Sequence, residues 1–130
     1  AGKAINSAIE IGQIEGGFVQ GAGWLTMEEV NWKPNGKITT HSPSTYKIPS
    51  VSDMPEIFNV EIFKKGKNTE KVVNKSKTTG EPPLMNAMSV FFAIKDAISS
   101  VGNYNLRPII NAPATPEKIL NSINQLKRKL

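Results

Sequence analysis

The adjacent prolines Pro82 and Pro83 constrain this chain more than any other feature. A proline disfavours the α region for the residue before it, has no N–H to donate, and carries a preset φ, so it suits the first turn of a helix. Gly80-Glu81-Pro82-Pro83 therefore predicts an extended Glu81 at the N-cap of a helix that begins with Pro82. The residues that follow have the periodicity such a start requires. Leu84, Met88, Phe91, Ile94, Ile98 and Val101 recur at three- and four-residue steps, while Asn86, Ser89, Lys95, Asp96 and Ser99 fall on other faces, before Gly102 ends the pattern. A carboxylate at the mouth of such a helix is stabilised by roughly 0.3–1 kcal/mol, and the same dipole favours an anionic ligand just beyond it. On these residues alone two readings of Glu81 stand. It is an acidic cap that satisfies orphan amides, or a base kept ionised beside a ligand.

A second unit, from about Ser7 to about Met27, is helically spaced yet carries Gly12, Gly16, Gly17, Gly21 and Gly23. Each glycine in a helix interior costs roughly 1 kcal/mol relative to alanine, so this density predicts the close approach of something else. Gln13 and Gln20 are seven residues apart and nearly eclipsed on one face, with Gly16 and Gly17 between them. Amides beside bare backbone suit a polar, planar ligand, and bare backbone equally suits a tightly packed neighbour. Gly21-Ala22-Gly23 is not a dinucleotide fingerprint, because no strand precedes it and no third glycine follows at the required spacing.

Between these helices the pattern turns to strands and loops. Glu29 to Trp32 and Lys37 to Thr40 flank Pro34-Asn35-Gly36, where proline and glycine suit successive turn positions, and predict a hairpin. Residues 41–56 hold three prolines and several serines, and predict an irregular but fixed loop carrying Tyr46-Lys47-Ile48-Pro49. Ile57 to Phe63 is rich in β-branched and aromatic residues and predicts a strand, with a partner beginning at Val72-Val73. Thr115-Pro116-Glu117 opens a last helix that should bury Ile119, Leu120, Ile123 and Leu126. The expected class is α+β: a glycine-rich N-terminal helix, short antiparallel strands, a long core helix after Glu81, and a C-terminal helix.

Composition narrows the function classes. At 130 residues and 38% hydrophobic the chain suffices for one globular domain, or a portion of one, and is short for a complete large enzyme. Without cysteine it offers no disulfide, iron–sulfur ligation or thiolate zinc site, and His41, the sole histidine, has no second histidine or cysteine with which to share a metal. The net charge of +5 comes from scattered lysines plus the groups at 64–67 and 127–129, read as a turn and a solvated tail. The aromatics fall mostly in apolar runs and not on a basic face, which argues against nucleic acid as the partner. No apolar run approaches the ~20 residues of a membrane span. The opening Ala1-Gly2-Lys3-Ala4 carries no signal sequence and reads as an interior position of a longer polypeptide.

Five stretches in order resemble the C-terminal end of the molybdenum hydroxylases of the xanthine dehydrogenase family: residues 12–21 (GQIEGGFVQG), 43–49 (PSTYKIP), 80–84 (GEPPL), 91–98 (FFAIKDAI) and 113–119 (PATPEKI). The resemblance spans nearly the whole chain and implies that residues 1–130 are the C-terminal portion of a molybdopterin-binding domain. It implies that Glu81 is the catalytic glutamate, which deprotonates the attacking hydroxyl, and that Gln13 hydrogen-bonds the molybdopterin. Gly16, Gly17 and Gln20 lie on the same face as cofactor-binding candidates, Gln20 with a less firm match. The implied reaction is hydroxylation of hypoxanthine and xanthine to urate, with water supplying the oxygen and electrons leaving through 2Fe-2S clusters and FAD, held on other segments or subunits, to NAD. The implied setting is cytoplasmic, the implied partners are the rest of the molybdenum subunit and the FAD and iron–sulfur units, and no metal ligand is expected from a side chain. The segment alone should be inactive. Aldehyde oxidase of the same family, or a non-catalytic remnant, are the other readings. Thr78-Thr79 stands where the family commonly has Ala-Val, and Asn86 where an apolar residue is usual.

Overall fold

A computed structural model describes residues 2–130 and contains four α-helices: α1 (Ser7–Thr26), α2 (Glu81–Asn86), α3 (Met88–Ser100) and α4 (Pro116–Lys127). Asn6 caps α1, its side-chain oxygen accepting from the N–H groups of Ala8 and Ile9 at 3.1 and 3.3 Å. The glycines of α1 divide into two kinds. A Cβ on Gly21 would strike the Leu84 carbonyl oxygen and come within 2.7 Å of the Ala87 Cβ, and one on Gly17 would lie 3.0 Å from the Gly80 oxygen and 3.2 Å from the Pro83 Cβ. Only glycine lets α2 lie this close. A Cβ on Gly12 or Gly16 would meet nothing within 4 Å.

The start of α2 differs from expectation by one residue. Gly80 is the N-cap, in αR geometry at φ −73°, ψ −46°, and Glu81 is the first helical residue with Pro82 second. The helical turn therefore overrides the preference of Pro82 for an extended predecessor, and the seat of Gly80 on Gly17 accompanies that choice. The predicted single helix is also divided. At Ala87 the backbone tightens, with the Ala87 N–H donating to the Leu84 oxygen at 3.2 Å and the Val90 N–H to the Ala87 oxygen at 3.0 Å. Ala87 is fully buried at this joint, directly over Gly21.

The core lies at the other end, where Ile98 of α3, Ile110, Ala114 and Leu126 of α4 are buried together with Phe91, Ile94, Leu106, Ile119 and Ile123 packed around them. Gly102 sits against the Leu126 side chain. The Ala114 N–H donates to the Leu25 oxygen at 2.6 Å, which joins this core to the C-terminal turn of α1. Thr115 caps α4 through its side-chain oxygen. Three residues of the expected apolar faces are exposed: Leu120 at 58%, because α4 turns only its 119/123/126 edge toward α3, and Met88 and Val101 at the two ends of the α3 stripe.

Pairing between extended segments is sparse. Among the described residues there are two isolated antiparallel bridges, Gly2–Ser76 and Trp32–Ile38. The second belongs to the predicted hairpin, whose turn closes through Lys33 and Lys37 with Gly36 at φ 79°. Residues 57–63 join no ladder, and Val73–Lys75 is a 3₁₀ turn with Asn74 and Lys75 at positive φ. A strand takes its N–H and C=O partners from a neighbouring strand, and this segment has none within the described residues. Phe58 instead packs its ring on Phe18 of α1 at 5.5 Å between centroids.

Candidate active site and cofactor-binding face

Gly21 and Gly23 are buried on α1, whereas Ile9, Gly12, Gln13, Gly16, Gln20 and Trp24 form one exposed stripe along it. The stripe follows from helical spacing, since these positions fall within about a third of a turn of the helix circumference. It offers two amide side chains, each with donor and acceptor, flanking backbone that carries no side chain at Gly12 and Gly16. Gly17 lies at the border of the stripe, and its open side is occupied by Gly80 and Pro83. The four α1 candidates therefore have different surroundings: Gln13, Gly16 and Gln20 face outward, and Gly17 supports α2.

Glu81 is exposed at the first position of α2. Because the Gly80 oxygen reaches Gly17, which lies between Gln13 and Gln20 in the chain, the mouth of α2 is seated on the same part of α1 as both glutamines. The tertiary fold thus brings together two stretches more than 60 residues apart in sequence. The dipole argument for Glu81 weakens, since α2 has six residues and a short helix sums few peptide dipoles. What holds Glu81 in place is the glycine-to-backbone contact behind it and the buried Pro83 two residues on.

Beside Gln20 runs a groove of about 500 Å³ walled by Gly16, Gln20, Trp24, Tyr46 and Pro49. The 41–56 loop builds its far wall. Pro49 presses on α1 where a Gly23 Cβ would sit 2.5 Å from its Cγ, and the Tyr46 hydroxyl donates to a Glu28 carboxylate oxygen at 2.5 Å. That hydrogen bond, then burial, then the Glu28 charge hold the Tyr46 phenol above its ordinary value. The loop closes further on through Ser50, whose N–H and hydroxyl both donate to Asp53 and keep that carboxyl below the usual range. Sequence reasoning assigned this wall no role. Glycine at 23 with proline at 49 was the available signal, but nothing local links residues so far apart. Among the described residues no three His, Cys, Asp or Glu side chains converge as a metal site.

Residues 1–55, which include the whole exposed stripe, match the family of molybdopterin cofactor-binding domains. Glu81 lies outside that match, but longer similarities include it. Over 98% of its length the chain is 46% identical to the xanthine dehydrogenase/oxidase of Felis catus, and over 91% it is 48% identical to xanthine dehydrogenase 1 of Arabidopsis thaliana. The xanthine dehydrogenase of Dictyostelium discoideum is 45% identical over 93% of the chain. The chain belongs to the xanthine dehydrogenase family. It spans about a tenth of the length of the curated relatives it matches: 10% of the Felis protein and 9% of the other two. Within the xanthine dehydrogenase family, residues 1–55 are part of a molybdopterin cofactor-binding domain. No helix among the described residues is long and apolar enough to cross a membrane.

Proposed function

We propose that this chain is the C-terminal portion of the molybdenum-binding region of a cytoplasmic xanthine dehydrogenase that hydroxylates hypoxanthine and xanthine to urate. Electrons leave through 2Fe-2S clusters and FAD on other segments to NAD. The observation that carries this reading is the seat of Gly80 on Gly17, which sets the mouth of α2 on the glutamine-bearing part of α1. The exposed stripe fits a pterin. Gly16 leaves free the volume a Cβ would fill, and the Gln13 and Gln20 amides are exposed to donate to and accept from a flat heterocycle with mixed polar edges. When bound, the cofactor supplies a molybdenum centre that accepts two electrons from the substrate.

The chain's own residues have three tasks in this proposal. Gln13 and Gln20 orient the pterin, Gly16 admits it, and a Glu81 carboxylate oxygen accepts the proton of the oxygen nucleophile as it attacks the purine carbon. Water is the source of that oxygen. A general base must come within hydrogen-bond reach of the proton it takes, and an exposed carboxylate anchored by buried Pro83 is suited to that. In the larger molecule, residues 57–63 pair with strands of another segment, which makes the domain α+β.

The test is Glu81→Gln in the full-length, cofactor-loaded enzyme. Turnover of xanthine is expected to fall at least ~100-fold, the usual lower range for loss of a positioned base, while molybdenum content and thermal stability stay at wild-type values. Wild-type turnover in this variant would remove Glu81 from the mechanism.

A further inference from the structure

The groove beside Gln20 has walls from two elements. α1 supplies Gly16, Gln20 and Trp24, and residues 41–56 supply Tyr46, Ile48 and Pro49. That loop keeps most of its hydrogen bonds to itself. The Thr45 and Tyr46 N–H groups both donate to the Ser42 oxygen at 2.9 Å, and the Ser50 N–H donates to Asp53 at 2.9 Å. Among the described residues, the bond from the Tyr46 hydroxyl to Glu28 is the one hydrogen bond that ties residues 41–56 to any other part of the chain.

The acceptor of that bond is fixed to α1. Glu28 directly follows the C-cap Met27, and the N–H groups of both donate to the Gly23 oxygen, at 3.0 and 2.9 Å. A Cβ on Gly23 would lie 2.6 Å from Glu28 Oε1 and 2.6 Å from Pro49 Cδ, so one bare point of the helix seats both the carboxylate and the proline of the loop. Oε1 rests against the helix, and Oε2 takes the Tyr46 hydroxyl. A hydrogen bond to a charged acceptor is about twice as strong as a neutral one, and this one is partly buried. The loop wall is therefore fastened to the helix wall at Gly23 by packing and at Glu28 by a single strong hydrogen bond.

On the reading that the exposed stripe of α1 holds the pterin, we propose that Tyr46 and Glu28 are a positioning pair that keeps the loop wall closed against α1 and so retains the cofactor beside Gln20. Neither side chain touches the reacting atoms in this role. The pair acts through the loop, whose opening sets how readily the cofactor leaves.

The test is the rate of molybdenum release from the full-length, cofactor-loaded enzyme, held well below its melting temperature. Release is read by metal analysis after gel filtration, relative to the metal each variant starts with, and global unfolding is followed by circular dichroism in the same samples. Tyr46→Phe and Glu28→Ala are each expected to release molybdenum about tenfold faster, the scale of one lost hydrogen bond to a charged acceptor. Their unfolding rates should change by less than about twofold, since a loop opens locally before the whole molecule does. The double variant should be no faster than either single one, and Glu28→Gln, which keeps an acceptor for the hydroxyl, should fall between Glu28→Ala and wild type. Release that rises only in step with unfolding, additive effects in the double variant, or wild-type release from Tyr46→Phe would each overturn the proposal. Gln20→Ala separates it from the reading it rests on. Faster release from Gln20→Ala with wild-type release from Tyr46→Phe removes the positioning pair alone, whereas wild-type release from Gln20→Ala removes the pterin from this groove and the pair's role with it.

Discussion

Gly16 and Gly17 are neighbours with opposite surroundings, and sequence cannot separate them. A Cβ at Gly16 enters open space, whereas one at Gly17 or Gly21 enters the backbone of α2. Gly21→Ala is therefore expected to destabilise the protein by about 1–3 kcal/mol through overpacking, measured by urea unfolding. Gly16→Ala should be neutral to stabilising by about 0.5–1 kcal/mol in the same assay, since only helix propensity changes, yet lower the molybdenum content of the assembled enzyme. Equal unfolding midpoints for the two variants would show that α2 does not lie on Gly21. Tyr46 offers a second single-residue test. The Glu28 hydrogen bond favours the protonated phenol in the folded state, so its contribution to stability is fully present below the ordinary phenol value and is lost as pH rises through the raised folded value. An ultraviolet titration in a Tyr104→Phe background should place Tyr46 above the ordinary value, and Glu28→Gln should bring it back down. A Tyr46 midpoint unmoved by Glu28→Gln would contradict the contact.

At the scale of elements, local signals located helices well and their ends less well. α4 has the sequence of a capped helix, and Thr115 accepts from the Lys118 N–H at 3.4 Å, with Pro116 next. Thr115→Ala is expected to cost about 1 kcal/mol in thermal or urea unfolding, with Thr115→Ser close to wild type. A loss no larger than that of an exposed surface substitution would mean the long cap bond contributes nothing. The division of α2 from α3 had no local signal. Asn86 and Ala87 are acceptable inside a helix, and the joint forms where Leu84 and Ala87 press on Gly21 of a distant element. The same holds for residues 57–63, whose β-rich composition predicts a strand but which find no pairing neighbour among the described residues.

For the whole molecule the decisive quantity is surface. A compact monomer of 14.2 kDa exposes about 6,800 Å², and this chain exposes 9848 Å², an excess of roughly 3,000 Å². Ile9, Trp24 and Ile48 are among the exposed apolar side chains near the proposed cofactor face. An excess of that size falls within the range buried in obligate interfaces. Expressed alone, the 130 residues are expected to self-associate and to show no xanthine oxidation with an artificial electron acceptor. Sedimentation and that assay check both parts; a monomer with measurable turnover would mean that the unit is self-sufficient.

The sequence by itself determined the helices, because their caps, prolines and apolar periodicity act within a few residues of one another. It also carried Glu81 and Gln13 as candidates, through motifs short enough to read in one stretch. Tertiary structure decided which glycines are packed and which are open, the one-residue shift of the α2 cap, the break at Ala87, the exposure of Leu120, and the loop wall built by Tyr46 and Pro49. Each of these depends on a contact between residues far apart in the chain. A Cβ has the same intrinsic cost at Gly16 as at Gly17 until another backbone arrives, and only the folded arrangement determines where it does.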